Sequence, residues 1–297
     1  MKKIFLLITL FASITFVNGQ DLLSGMEITP ENDFAIATFK STRLINQHTI
    51  ETTGPRTLDF RISHRFGAIN SGSYNAYGLD GPANIRIGLE YSPNGRLMFG
   101  LGRSSLEKLV DGFLKFRLLR QKNSGGMPLS VTLFAGAYYT TLKDGNAIAQ
   151  GFDRYENRSS RFTYCYEMLI ARKFSPSFSF QVAPWFVHYN LVDLKTDKND
   201  AYGLSALFRM KFTKRAALTM EYGYRMNKYT AVALTANDTY HDSFSIGYEV
   251  ETGGHVFQIQ FTNSFGITEN QFFPKTESKW NDAGIRLGFN ISRVFTL

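Results

Sequence analysis

The stretch Asn84-Ile85-Arg86-Ile87-Gly88-Leu89-Glu90-Tyr91 carries an apolar side chain at every odd number and a polar or small one at every even number. Successive side chains of a β-strand point to opposite faces, so this segment has one greasy and one polar face. A helix would bring positions i, i+3 and i+4 together and mix the two sets. The alternation recurs along the chain. Leu58, Phe60, Ile62 and Phe66 oppose Asp59, Arg61, Ser63 and Arg65. Leu218, Met220, Tyr222, Tyr224 and Met226 oppose Thr219, Glu221, Gly223 and Arg225. Phe244, Ile246, Tyr248 and Val250 oppose Ser243, Ser245, Gly247 and Glu249, and Ile285, Leu287, Phe289, Ile291 and Phe295 oppose Arg286, Gly288, Asn290 and Ser292.

Several of these segments run 10 to 14 residues. A typical soluble strand has about 5–6 residues, whereas a tilted membrane strand needs about 9–11. The connections alternate in length. Brief turns at 53–56, 93–95, 175–177, 213–215 and 252–254, with a slightly longer one at 121–128, separate polar stretches near 67–83, 141–160, 193–200, 229–242 and 265–281; the link at 104–107 is short. Short turns at one end and longer loops at the other are the pattern of an outer-membrane barrel. Only helices and closed barrels cross a bilayer, because an open strand edge leaves backbone groups unpaired in hydrocarbon. The expected fold is therefore all-β: a closed antiparallel transmembrane barrel.

The strand count follows from thirteen segments, near 44–52, 57–66, 84–92, 96–103, 108–119, 129–140, 161–174, 178–190, 201–212, 216–228, 243–252, 255–264 and 283–297. Single-chain bacterial barrels use even numbers. If 44–52 runs toward the short-turn end, an upward strand must precede it, and Phe34 to Lys40 is the candidate. That gives about 14 strands, with 12 if the N-terminal stretch plugs the lumen instead.

Composition agrees with this class. Phe 27, Tyr 15 and Trp 2 make 15% of the 297 residues, beside 25 Gly and only 8 Pro, a balance that favours strands and tight turns. Mean hydropathy is −0.18, which excludes a bundle of membrane helices. At the N-terminus, Met1-Lys2-Lys3 precedes the uncharged apolar run Ile4–Val17 and the modest side chains Val17-Asn18-Gly19, the layout of a secretory signal peptide cleaved after Gly19. The expected organisation is a signal peptide at 1–19, an N-terminal periplasmic segment at 20–33 and a barrel at 34–297. Without Lys2 and Lys3 the chain has 31 positive against 25 negative side chains, a net of +6. That charge is too mild and dispersed for a nucleic-acid binder.

The polar parity defines the candidate lumen. It carries Arg61, Arg65, Arg86, Lys115, Arg117, Arg209, Lys211, Arg225 and Arg286 against Asp59, Glu90, Asp111, Glu167, Glu221, Glu249 and Glu251. Nine against seven is nearly balanced and predicts a mixed network across the wall more than a one-sign selectivity ring. The other reading of the same set is a hydrated channel with a weak preference for anions. Trp185, Tyr189, Tyr139, Tyr222, Tyr224 and Tyr248 are candidates for interfacial aromatic girdles on the lipid face.

Catalytic and metal chemistry find little purchase. Cys165 is the single cysteine, so no intrachain disulfide or cysteine-cluster zinc site is expected. His48, His64, His188, His241 and His255 stand at no metal-ligand spacing. Ser63 and His64 are adjacent in a strand, hence on opposite faces, and cannot form a dyad. Gly100-Leu101-Gly102 lacks the third glycine of a dinucleotide loop, position 105 being Ser, and reads as close packing in a strand. Asp144-Gly145-Asn146 and Asp197-Lys198-Asn199-Asp200 have the chemistry of turns before that of calcium loops. No catalytic residue, cofactor or metal is expected.

Three stretches carry a resemblance. Ala37-Thr38-Phe39-Lys40-Ser41-Thr42-Arg43-Leu44-Ile45-Asn46-Gln47-His48-Thr49-Ile50-Glu51, Ile62-Ser63-His64-Arg65-Phe66-Gly67 and Asp111-Gly112-Phe113-Leu114-Lys115-Phe116-Arg117 resemble signatures of a family of Bacteroidetes outer-membrane β-barrels. The resemblance implies a membrane barrel over nearly all of the mature chain and brings no activity with it. The chain end Phe289–Leu297 is similar to the signal read by the barrel-insertion machinery, with Phe295 as the candidate residue. The expected partners are outer-membrane lipid and, during assembly, that machinery. The expected role is a passive small-solute channel. A structural or scaffold barrel in an envelope complex is the alternative, ahead of a soluble periplasmic β protein or a barrel enzyme.

Overall fold

A computed structural model describes residues 33–143, 155, 157–192, 197–227 and 240–297. The signal-peptide reading at 1–19, nearly all of segment 20–33 and the loop tip Asp144-Gly145-Asn146 lie outside the described residues.

Twelve strands form the wall. They are β1 (Thr57–Ala68), β2 (Asn84–Ser92), β3 (Leu97–Ser104), β4 (Leu109–Leu119), β5 (Ser130–Thr140) and β6 (Phe162–Lys173). There follow β7 (Phe178–Tyr189), β8 (Asp200–Lys211), β9 (Ala216–Arg225), β10 (Ser243–Thr252), β11 (His255–Thr262) and β12 (Arg286–Thr296). Each strand pairs antiparallel with its sequence neighbour, and β12 returns to β1 with Leu58 opposite Phe295 and Ile62 opposite Ile291, which closes the barrel. Closure leaves no edge strand with unpaired backbone groups.

The parity pattern follows from the bilayer outside and the packed interior. On β1, Asp59, Arg61, Ser63 and Arg65 are buried while Leu58, Phe60 and Ile62 are half-buried on the outer face. On β2 the outward Ile85, Ile87 and Leu89 are exposed and the inward Arg86 and Glu90 are buried. Exposed apolar residues around the whole wall are what a lipid-facing surface requires.

The structure has the twelve strands expected if the N-terminal stretch fills the lumen, and not the main count of 14. The stretch 34–52 contributes none to the wall, although Phe34–Lys40 and 44–52 carried two of the fourteen. The physical reason is in the side chains. As a wall strand, 44–52 would turn either Asn46 and His48 or Gln47, Thr49 and Glu51 toward hydrocarbon, and polar groups there cost several kcal/mol each. The chain instead folds inside the barrel as a tight hairpin. Arg43 bridges His48, the Leu44 N–H donates to Gln47 O at 3.0 Å, and the Thr49 N–H donates to Thr42 O at 3.0 Å. Residues 41–50 are buried on both parities.

A second correction concerns β7. Trp185 and Tyr189 face the lumen, 2% and 5% exposed, and not the lipid. Ser179 and Gln181 share the parity of Trp185 and Tyr189 and carry it inward, although residues 183–187 are apolar on both parities; Phe178, Phe180, Val182, Pro184 and Phe186 take the outer face. Tyr222, Tyr224 and Tyr248 do stand exposed on the outer wall.

Candidate functional site: a filled lumen

About eight strands give a barrel that its own side chains can fill, and 16–18 leave a water channel. A twelve-stranded wall lies between these limits, so its interior needs more than wall side chains. Two segments supply the filling. The hairpin 41–50 enters from the short-turn end, and residues 264–276 of the β11–β12 connection fold in from the long-loop end. The latter include one helical turn, α1 (Glu269–Phe272). Phe272 and Phe273 are fully buried, and Phe273 stacks on Trp185 at 4.6 Å with the planes 7° apart. That stack packs Trp185 against the inserted segment.

The wall grips the hairpin from several sides. Glu221 on β9 accepts the Asn46 N–H at 3.0 Å, the Gln47 N–H at 3.1 Å and the Asn46 amide at 2.6 Å. Arg65 on β1 donates to Asn46 Oδ1 at 2.7 Å, and Asn290 on β12 donates to Ile45 O at 2.8 Å. Arg61 donates to Ser41 Oγ at 2.6 Å and Thr42 Oγ1 at 3.0 Å, while Glu90 accepts from Thr42 Oγ1 at 2.6 Å. Lys115 reaches Thr42 O at 3.4 Å and also binds Glu51 O; Arg117 pairs with the Glu51 carboxylate at 3.1 Å. Gln181 on β7 donates to His48 O and accepts the Ile50 N–H, both at 2.8 Å. Hydrogen bonds to charged partners contribute about 1.5–3 kcal/mol each where buried, so the grip is strong in sum.

The two inserted segments meet each other. Arg43 of the hairpin donates to the Glu269 carboxylate at 2.7 Å, and Tyr138 on β5 donates to its other oxygen at 2.6 Å. Arg43 also donates to Asn46 O at 3.0 Å, closing its own turn.

All sixteen candidate lumen charges stand on the inner parity, and thirteen of them have the following surroundings. Arg61, Arg65, Glu90, Lys115, Arg117 and Glu221 hold the hairpin, as above. Arg86 pairs with Asp111 through two hydrogen bonds, the longer 2.9 Å, and Arg209 pairs with Glu249 at 2.9 Å. Arg225 binds Pro274 O and Tyr240 O, and Arg286 stacks over Phe265 at 4.6 Å, so these two anchor long-loop segments. Both oxygens of Glu167 are buried without a hydrogen-bond partner. The network is mixed in sign. Gly100 and Gly102 serve close packing: a Cβ on Gly100 would come 2.4 Å from the Phe113 ring, and one on Gly102 would come 2.3 Å from the Arg86 guanidinium.

Sequence reasoning missed Arg43, Asn46, Gln47 and Glu269. The first three sat in a segment read as wall, and Glu269 in a connection read as polar loop. The available signals were Leu44-Ile45, adjacent apolar residues that break alternation, and Phe272-Phe273 inside a loop. Among the described residues no group of three or more His, Cys, Asp or Glu is placed to hold a metal ion. Ser63 faces the lumen, whereas His64 lies outside the barrel, stacked on Phe289 at 5.1 Å.

A closed wall of antiparallel strands, apolar outside and polar inside, defines a membrane β-barrel of outer-membrane type. Residues 39–295 match the family described as membrane bound beta barrel domain (DUF5777), and the chain belongs to that family. No curated protein matches the chain. Among solved structures it is similar to the NanC porin, with 8% identity over 81% of this chain and 99% of that one, at a TM-score of 0.48. It is similar also to the KdgM porin, with 8% identity over 81% and 99%, at a TM-score of 0.43. A third is the outer membrane phospholipase A from Escherichia coli, with 11% identity over 87% and 98%, at a TM-score of 0.46.

Proposed function

We propose that this barrel is a sealed structural element of the outer membrane, a scaffold barrel, and not a standing passive channel. The observation that carries the reading is the contact between Arg43 and Glu269, which joins the two inserted segments across the lumen at 2.7 Å. The mixed charges of the inner wall support it, because most of them hold these segments or pair with one another across the wall. The proposal includes no enzymatic activity, and the opposite placement of Ser63 and His64 supports that part.

One observation favours a second reading, passive passage of small solutes in an opened form. Among the described residues, the stretch 37–52 makes no backbone-to-backbone hydrogen bond to the wall; each of its hydrogen bonds there involves a side chain. It could withdraw without breaking the sheet.

Conductance in planar bilayers tests both. The wild-type barrel is expected to stay silent, and steady wild-type conductance would overturn the sealed reading. The E221Q/E269Q double variant weakens both latches. If it stays silent as well, the scaffold role stands; if it conducts, passage through an opened form replaces it.

A further inference from the structure

The outer wall carries a basic recess that the lumen does not use. At the foot of β3 and β4 a cavity of about 440 Å³ lies between the β2–β3 turn and the start of the β4–β5 turn. Its size falls within the roughly 300–1,000 Å³ of small-molecule sites. Arg96, Arg117, Arg120 and Lys122 line it together with Leu118 and Leu119, and its lining contains no carboxylate. Both arginines are held in place. Arg96 stacks over Phe116 at 5.1 Å and donates to Arg117 O at 3.0 Å; Arg120 stacks over Phe34 at 4.3 Å.

The contrast with neighbouring cations at the same end is informative. Lys40 pairs with Glu251, and Arg117, which itself lines the recess, is engaged inward by Glu51. Arg96, Arg120 and Lys122 form no ion pair among the described residues. Like charges gathered at a low-dielectric rim repel, and a bound anion relieves that repulsion. The recess also continues into the apolar wall: Leu114, Phe116 and Leu118 stand exposed in a row on β4 directly above it. An occupant that is anionic at one end and apolar at the other satisfies both features. Short turns of outer-membrane barrels face the periplasm, which puts the recess at the headgroup level of the periplasmic leaflet.

We propose that this recess binds the phosphate headgroup of an anionic phospholipid of the periplasmic leaflet, with the acyl chains laid over Phe116 and Leu114. Arginine gives planar, paired donors to phosphate oxygens and lysine a mobile point charge, so the three cations suit one phosphodiester.

Native mass spectrometry of the detergent-purified barrel, titrated with phosphatidylglycerol or phosphatidylcholine, tests this. One phosphatidylglycerol per barrel is expected to be retained in preference to phosphatidylcholine. The R96A/R120A/K122A variant should lose about a hundredfold in affinity, roughly fivefold per juxtamembrane cation. K214A/R215A, in another short turn, should bind as wild type. Lys122 is an exposed turn residue, so K122A alone keeps the test valid if the triple variant fails to fold; it should lose roughly fivefold. Equal retention of the two lipids overturns the proposal, as does undiminished binding by either Ala variant. Displacement of the lipid by millimolar inorganic phosphate, leaving the chains unneeded, overturns it too.

Discussion

Glu221 is the residue on which the inserted hairpin hangs. It accepts two main-chain N–H groups and one amide, all inside the barrel. Glu221→Ala leaves these donors unsatisfied and Arg65 short of a nearby countercharge, at a cost of about 3–5 kcal/mol; Glu221→Gln keeps one acceptor and should cost less than half of that. Urea unfolding followed by unboiled gel mobility measures the difference, and equal midpoints for the two variants would contradict it. The Arg86–Asp111 pair makes a separate prediction. Arg86→Ala strands a buried carboxylate and should destabilise by about 3–5 kcal/mol, whereas R86M/D111L should return to within about 1 kcal/mol of wild type. Gly102 belongs to the same unit, since a side chain there meets the guanidinium. Gly102→Ala should therefore be tolerated better in R86M/D111L than alone.

Two elements carry predictions of their own. The hairpin holds His48 between Phe113 and Phe134, with ring centroids 4.5 Å away in each case. Burial first, and then Arg43, Lys115, Arg86 and Arg61, push its imidazole well below the ordinary value of 6.5, and Glu269 at 3.7 Å does not offset them. Once released to water, His48 binds a proton near pH 6.5. The seated hairpin therefore keeps its full stability above about pH 6.5 and loses up to about 1.4 kcal/mol per pH unit as pH falls below it. The temperature at which unboiled gel mobility is lost should drop between pH 7.5 and pH 5, and His48→Gln should flatten that drop. The closing strand β12 pairs with both β11 and β1, and places Phe295 outward and 39% exposed. Deleting Phe295–Leu297 removes the last rungs of closure against Thr57 and Leu58. The truncated chain is expected in the soluble periplasmic fraction, and undiminished membrane insertion would dismiss Phe295 as an assembly signal.

For the molecule as a whole, twelve strands and two inserted segments are one solution to a single packing problem: a wall too wide to fill itself closes around its own chain. Local rules sufficed for most of the wall. The alternation in 84–92 and 243–252 set both strands to the residue, and the short and long connections set the order and direction of the rest. The inner parity of Arg61, Glu90 and Glu221 was legible for the same reason, because period two assigns faces without any knowledge of partners. What each inner residue touches was not legible. Glu221 meets Asn46 across 175 positions and Arg43 meets Glu269 across 226, and no local pattern encodes a contact of that separation. The strand count depended on the same distinction. Residues 44–52 have enough β-formers for a strand, and only the competition between hydrocarbon and a polar interior sent them inward. Trp185 obeyed that competition as well: it shares a parity with Ser179 and Gln181, which the polar interior takes, and its partner Phe273 comes from a distant loop. The sequence by itself determined a closed membrane wall, since faces and turns are local properties. The tertiary structure decided that the wall is filled, since filling is a property of the space that closure creates.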